Sequence, residues 1–374
     1  MRTVRCELQP GVAPGVHRVV SADELAGVWT PELRFLVVAN TPEEKAQAER
    51  LVGSEVKNVA WAASADLMAG DVVTIDTARS KVVVLYRESD RHHSLFATNR
   101  CNSLCLMCSQ PPTPQADPWL IEEAMVTLCH MRTSPAHLGI TGGEPTLLGG
   151  DLVRLLRTVR ALHPATCIEV LTNGRRLADP ALASMLFEPP VENVSWLVPL
   201  YGHASYLHDF VVQAPGAFDQ TIGGLLALQE HGQPIQLRIV LIEPVLQHLK
   251  DLADFIARNL PFVREVALMA SEPIGFALAN RELCEVDLLD WTEVLTGAVA
   301  IFRRYGLPVL FMNTPLCALP TGLRGFAHQS ISDWKNVFAA ECENCAAKQQ
   351  CSGLFAWHER GWKPTRIQPI QELV

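Results

Sequence analysis

Residues 97–112 read ATNRCNSLCLMCSQPP, and three cysteines crowd the stretch, Cys101, Cys105 and Cys108, spaced C-x3-C-x2-C. The text leading in, HSLFATN (93–99), is short, apolar and ends in turn-forming polar residues, so it reads as a strand that delivers the cysteines into a loop. Three thiolates in so tight a loop suit three irons of a cubane cluster. The fourth iron then lacks a protein ligand, which leaves an open position for a second molecule. A structural zinc knuckle completed by His92 or His93 is the competing reading, although zinc sites more often pair two C-x2-C units.

Outward from this loop the same strand-and-helix text repeats. Candidate strands follow at HLGIT (137–141), CIEVLT (167–172), VSWLVPL (194–200), IQLRIVL (235–241) and EVALMA (265–270), with amphipathic helical text between them. A recurrence of roughly 30 to 45 residues is the spacing of βα units in a parallel sheet. Six such units are too few to close an eight-stranded barrel. The expected fold class is therefore α/β, a partial (β/α)6 barrel over 91–300, with its chemistry at the C-terminal strand ends. An N-terminal α+β region (1–90) precedes it, with a helix near 41–53 and a hairpin pairing 71–76 with 81–86. A Cys-rich module (301–374) follows.

Those strand ends carry polar residues suited to a ligand. Gly142-Gly143-Glu144-Pro145 lets backbone come close to a bound group, and Glu144 can accept from an ammonium. Thr172 and Asn173 have groups suited to hydroxyls, although a plain turn would also explain them. Arg238, inside an otherwise apolar strand, needs an anionic partner, either a ligand or an acid such as Glu243. His203, His208 and Asp209 fall on the expected rim, where a structural role is the ordinary alternative to catalysis. The tail adds Cys317, Cys342, Cys345 and Cys351, four thiols that can saturate a zinc ion or a 4Fe–4S cluster. The remaining Cys6, Cys129, Cys167 and Cys284 read as packing residues.

The bulk numbers agree with a soluble enzyme. The chain has 374 residues, 48% hydrophobic and 19% charged, enough for a substantial core and against global disorder. Its net charge of −9 argues against general nucleic-acid or anionic-membrane binding. Neither a signal peptide nor a membrane-spanning run is visible, so a cytoplasmic location is expected. In that reduced compartment, clustered thiols among 11 cysteines point to metal or redox chemistry rather than disulfides.

The C-x3-C-x-Φ-C loop after a first strand, with the Gly-Gly-Glu text, resembles the radical S-adenosylmethionine (SAM) superfamily. The resemblance implies that Cys101, Cys105 and Cys108 hold a 4Fe–4S cluster whose open iron chelates SAM, with reductive cleavage to a 5′-deoxyadenosyl radical. It implies that Gly142, Gly143 and Glu144 meet the SAM amino group, Thr172 and Asn173 the ribose, and Arg238 the carboxylate. The Φ position is Met107, where the superfamily often has an aromatic residue, and its sulfur can pack on adenine. EPIGFALAN (272–280) would also border the adenine.

The segment PLYGHASYLHD (199–209), with an HD pair before a Gly-x-Phe helix start, is similar to that of peptide maturases. This implies catalytic roles for His203, His208 and Asp209. The tail resembles a SPASM or twitch module, which implies an auxiliary 4Fe–4S cluster.

From about Gly70 to about Lys363 the text is similar to His-Xaa-Ser system maturases. Implied partners are a precursor peptide or protein substrate, a sister radical SAM maturase, and a reductant such as flavodoxin or ferredoxin. A small-molecule radical SAM enzyme is the alternative within the class. A zinc-stabilised binding protein without chemistry is the alternative outside it.

Overall fold

The computed structural model describes residues 2–52, 57–77, 81–358, 361, 362, 364 and 367–372. The chain divides into two compact units, one of residues 1–96, 118–138 and 154–166, the other of 97–117, 139–153 and 167–374.

In the first unit, strands β1 (Arg2–Val4), β2 (Glu7–Leu8), β3 (Gly15–Val20), β4 (Phe35–Val38), β5 (Val59–Ala63), β6 (Val72–Asp76) and β7 (Lys81–Tyr86) form one sheet in the order β1-β7-β6-β3-β4-β5-β2. The β3–β4 and β4–β5 pairs are parallel, joined by helices Ala22–Val28 and Pro42–Val52. Period-two alternation splits the apolar side chains between two faces. Val19, Leu36, Val73 and Ile75 pack on one side. Val20, Phe35, Val37 and Trp61 pack on the other, together with Leu25 and Ala48 of the helices. The expected hairpin is β6–β7, with Asp76 opposite Lys81. Residues 78–80 of its turn lie outside the described residues.

Strand β8 (His93–Phe96) brings the chain to the second unit. There β9 (His137–Thr141), β10 (Cys167–Leu171), β11 (Val194–Pro199), β12 (Ile235–Leu241), β13 (Glu265–Ala270) and β14 (Val309–Met312) run in the order β14-β13-β12-β11-β10-β9. The four pairs from β10 to β14 are parallel. The result is an open α/β sheet curled into a half barrel, with the Cys-rich region after it.

One element exceeds the expectation of six βα units. Helix Thr292–Arg304 spans position 300, where the barrel was expected to end, and leads into β14, which pairs with β13 from Val266↔Val309 to Met269↔Met312. Four apolar residues between Pro308 and Asn313 make this strand. The Cys, Gly and Pro around them gave the segment the composition of an irregular tail.

The sheet's two faces differ in chemistry. Along β12, Ile235, Leu237, Ile239 and Leu241 are buried and alternate with the half-buried Gln236, Arg238 and Val240. Helix Leu249–Asn259 presents Leu249, Leu252, Ala253, Ile256 and Ala257 to the core, the i, i+3, i+4, i+7 pattern of an amphipathic helix. Gln236 and Arg238 are thereby left on the opposite face. Among the described residues, no helix is long and apolar enough to cross a membrane.

Candidate functional site

The cysteine loop leaves β8 and is held at its base by Asp117. Its carboxylate accepts from the Thr98 hydroxyl at 3.1 Å and from the Asn99 N–H, while the Thr98 hydroxyl accepts the Arg100 N–H at 3.1 Å. Further along, Leu104 and Leu106 N–H donate to Val212 and Val211 carbonyls at 3.0 and 2.9 Å, at the end of helix Ser205–Val212. Cys108 O accepts from Phe276 N–H at 2.9 Å, and Leu106 O from the Asn280 amide at 2.9 Å. Gly275, at φ +64°, is needed there, since a Cβ would sit 2.5 Å from Cys108 O. The segment 272–280, expected beside adenine, thus braces the cysteine loop in the structure.

Cys101, Cys105 and Cys108 are half-buried and near enough to repel one another as thiolates. Burial first, then its two cysteine neighbours, pushes the Cys105 thiol up to about 12. Burial likewise pushes Cys101 to about 11. Three crowded thiolates are costly without a positive centre between them, which is the electrostatic demand a cluster or metal satisfies. Among the described residues, no three His, Cys, Asp or Glu side chains converge closely enough to hold one metal ion. A cubane asks for a different layout, with each thiol facing its own iron around a shared cavity.

The Gly-Gly-Glu turn touches the cysteine loop itself. Gly143 N–H donates to Thr98 O at 2.7 Å and Glu144 N–H to Arg100 O at 2.8 Å. A Cβ on Gly142 would lie 2.3 Å from Thr98 O, and one on Gly143 would lie 2.1 Å from Arg100 O. The two glycines admit the loop's backbone at close range, where sequence reasoning had them admit a ligand.

Glu144 is fully enclosed. One oxygen accepts from Thr146 N–H (2.9 Å), the Thr146 hydroxyl (2.6 Å) and the Thr172 hydroxyl (2.6 Å), and the other accepts from Asn173 N–H (2.6 Å). It locks the end of β9 to the end of β10. Burial raises its pKa, and the four donors pull it back.

Thr172 therefore spends its hydroxyl proton on Glu144, and its oxygen accepts Gly174 N–H at 3.1 Å. It is 4% exposed, which corrects the expectation of a ribose contact from that hydroxyl. The Asn173 amide donates to Asn102 Oδ1 at 2.6 Å and lies 3.9 Å from Cys101 Sγ. Met107 is buried.

Arg238 donates through Nε to Gln236 Oε1 at 2.8 Å, and Gln236 donates in turn to Glu265 at 2.7 Å. Its acidic neighbours are Glu169 and Glu265. Glu243, the acid suggested from sequence, accepts instead from Gln247 at 3.2 Å.

Tyr201, not singled out from the sequence, lies within electrostatic reach of Cys105, Cys108 and Arg238. Burial first, then those thiols, raises its phenol well above the usual range. It stacks on His208 with ring centroids 5.9 Å apart. An aromatic residue directly after a β-strand is its only sequence signal.

The three rim residues separate by environment. His208 is 1% exposed, accepts Tyr201 N–H at Nδ1 (3.2 Å), and is lowered to about 4 by burial. Asp209 accepts from Gly216 N–H (2.6 Å) and Phe218 N–H (2.8 Å), which caps helix Ala217–Glu230. Both side chains, expected to be catalytic, accept from backbone N–H groups of the scaffold. His203 has a buried Nδ1 with no hydrogen-bond partner among the described residues, and its ring lies 6.0 Å from that of His248.

The second cysteine set assembles from irregular chain. Cys317, Cys342, Cys345 and Cys351 line one cavity together with Phe338 and Lys348. Backbone N–H groups point at its sulfurs, from Leu316 and Gly353 to Cys351 (3.3 and 3.4 Å) and from Ile370 to Cys345 (3.3 Å). Four thiols are the ligand number of a fully ligated cluster. Of the remaining cysteines, Cys284 is buried as expected, whereas Cys129 is exposed.

No family model matches the chain. A GTP 3′,8-cyclase of Lactiplantibacillus plantarum is 29% identical over 203 residues, which cover 52% of this chain. The match spans 59% of that relative's length. Among solved structures, Streptococcus suis SuiB bound to S-adenosylmethionine is 15% identical with a TM-score of 0.48, covering 61% of this chain and 51% of that one. A structure of anSMEcpe with bound AdoMet and a peptide is 15% identical with a TM-score of 0.44, covering 58% and 62%.

Proposed function

We propose that this chain is a radical SAM enzyme that modifies a ribosomally made peptide by hydrogen abstraction. The observation that carries the reading is one cluster of side chains. Three mutually repelling thiols stand at the strand ends beside Asn173, with a buried tyrosine linking them electrostatically to Arg238. When bound, a 4Fe–4S cluster on Cys101, Cys105 and Cys108 supplies the electron that cleaves SAM to a 5′-deoxyadenosyl radical.

The chain's own residues do the rest. Arg238, bonded only through Nε among the described residues, keeps its outer nitrogens for a carboxylate. Glu144 acts through Thr172 and Asn173 as a positioning residue. His203, whose Nδ1 has no partner among the described residues, is the rim residue left to exchange a proton with substrate. The second cysteine set would hold an auxiliary 4Fe–4S cluster.

The substrate proposed is a precursor of His-Xaa-Ser type, with crosslinking or oxidation of a His or Ser residue. A flavodoxin- or ferredoxin-like protein would act as reductant, a sister maturase as partner, and the cytoplasm as location. The test is anaerobic reconstitution with SAM, dithionite and a neighbouring-gene peptide, read by mass spectrometry. The expected result is 5′-deoxyadenosine and a peptide mass change, both lost in Cys105→Ala. SAM cleavage that no peptide stimulates would favour the small-molecule reading, which the similarity to a GTP 3′,8-cyclase supports. A colourless, zinc-bearing chain after anaerobic purification would overturn both.

A further inference from the structure

Arg175 follows the turn at Gly174, whose φ of +78° swings the chain back over the cysteine loop. Its Nη1 donates to the Asn102 carbonyl and, at 3.0 Å, to the Ser103 hydroxyl, while Nε donates to Gln220 Oε1 at 2.7 Å. Asn173, two residues earlier, grips the same Asn102 by donating its side-chain amide to Asn102 Oδ1 at 2.6 Å. Two residues from the end of β10 thus hold the chain between Cys101 and Cys105 on both backbone and side chain. The bonds to Asn102 and Ser103 hold the Arg175 guanidinium against the segment between Cys101 and Cys105. Arg is suited to this task because Nη1 can serve two acceptors at once while Nε of the same rigid group anchors it elsewhere.

We infer that Arg175 is a positioning residue of the first cysteine set, holding the Cys101–Cys105 segment in shape and placing a fixed positive charge against the group those thiols bind. This rests on the reading of Cys101, Cys105 and Cys108 as cluster ligands. A nearby positive charge stabilises the more negative, reduced state of such a cluster and so raises its reduction potential.

The test uses the full chain, reconstituted anaerobically, with an EPR-monitored redox titration of the signal that changes when SAM is added. Arg175→Met is expected to shift that midpoint to more negative potential and to lose the signal several-fold faster under an iron chelator. Arg175→Lys restores the midpoint, because the charge remains. It does not restore chelator resistance, because a single ammonium cannot hold Asn102 and Ser103 while a second nitrogen stays anchored on Gln220. Wild-type midpoint and wild-type chelator resistance in Arg175→Met overturn the inference. Should Arg175→Met fail to fold, Arg175→Lys decides alone, and unchanged chelator resistance in the folded protein overturns it. A wild-type chain that binds no iron, or whose signal ignores SAM, defeats the underlying cluster reading instead.

Discussion

The two cysteine regions are built in opposite ways. The first hangs from regular strands and is gripped by the side chains of Asp117, Asn173 and Arg175, with Glu144 holding Asn173 in turn. The second sits among short 3-10 turns, with paired strands of only two residues each, β15 (Asn336–Val337) and β16 (Leu354–Phe355). Its sulfurs receive backbone N–H groups rather than side-chain clamps. The difference teaches that the first site is preorganised by the sheet, whereas the second has little regular structure to hold it together and, on the proposed reading, would depend on the group its thiols bind.

On the proposed reading, the largest effect should come from denying the second set its group. Chelation of iron, or Cys342→Ala with Cys345→Ala, is expected to open residues after about 313 to protease while the sheet through β13 stays resistant. Limited proteolysis with mass mapping reads this, and equal resistance of both regions would break the contrast.

Next is Glu144→Ala, which leaves four donors around Glu144 without an acceptor. It should cost roughly 3 kcal/mol or more of stability and reduce iron loading of the first set while sparing the second. Glu144→Gln, which keeps one acceptor oxygen, should lose less. Thermal melts with iron counts distinguish the two.

A smaller effect is set by pH. His208 is lowered from 6.5 to about 4 by burial. Its folded pKa lies below the unfolded one, so the unfolded chain binds more protons. The stability this gives is whole above about pH 6.5 and is lost as pH falls toward 4. At about pH 5 the loss is about 2 kcal/mol. Denaturant melts of wild type and His208→Asn should therefore converge on acidification, and parallel curves would sink the assignment. The smallest effect is Ser103→Ala, about 1 kcal/mol, because it removes one of the two acceptors on Arg175 Nη1 and leaves the other. It should leave the second set's iron untouched.

Much of this was legible in the chain. The strand at 235–241 was readable to the residue, because five apolar residues alternating around Gln236 and Arg238, after Pro234 and before Glu243, admit little else. β14 was not, because the composition of its neighbourhood masked four apolar residues. At the site, the residue types were readable and their partners were not. Glu144, Thr172 and Asn173 each looked like a ligand contact when taken alone. Folding brings them together, and buried polar groups satisfy one another before any ligand arrives.

By itself, the sequence determined the βα alternation, the C-x3-C-x2-C loop after the first of those strands, and the four further thiols in the tail. These follow from periodicity and spacing, which are local. Only the tertiary structure decided that the two glycines serve the cysteine loop, that His208 and Asp209 are tied into the scaffold, and that Arg175 and Tyr201 stand beside the thiols. Those facts depend on which backbone groups come within about 3 Å across long stretches of chain, and no local pattern records that.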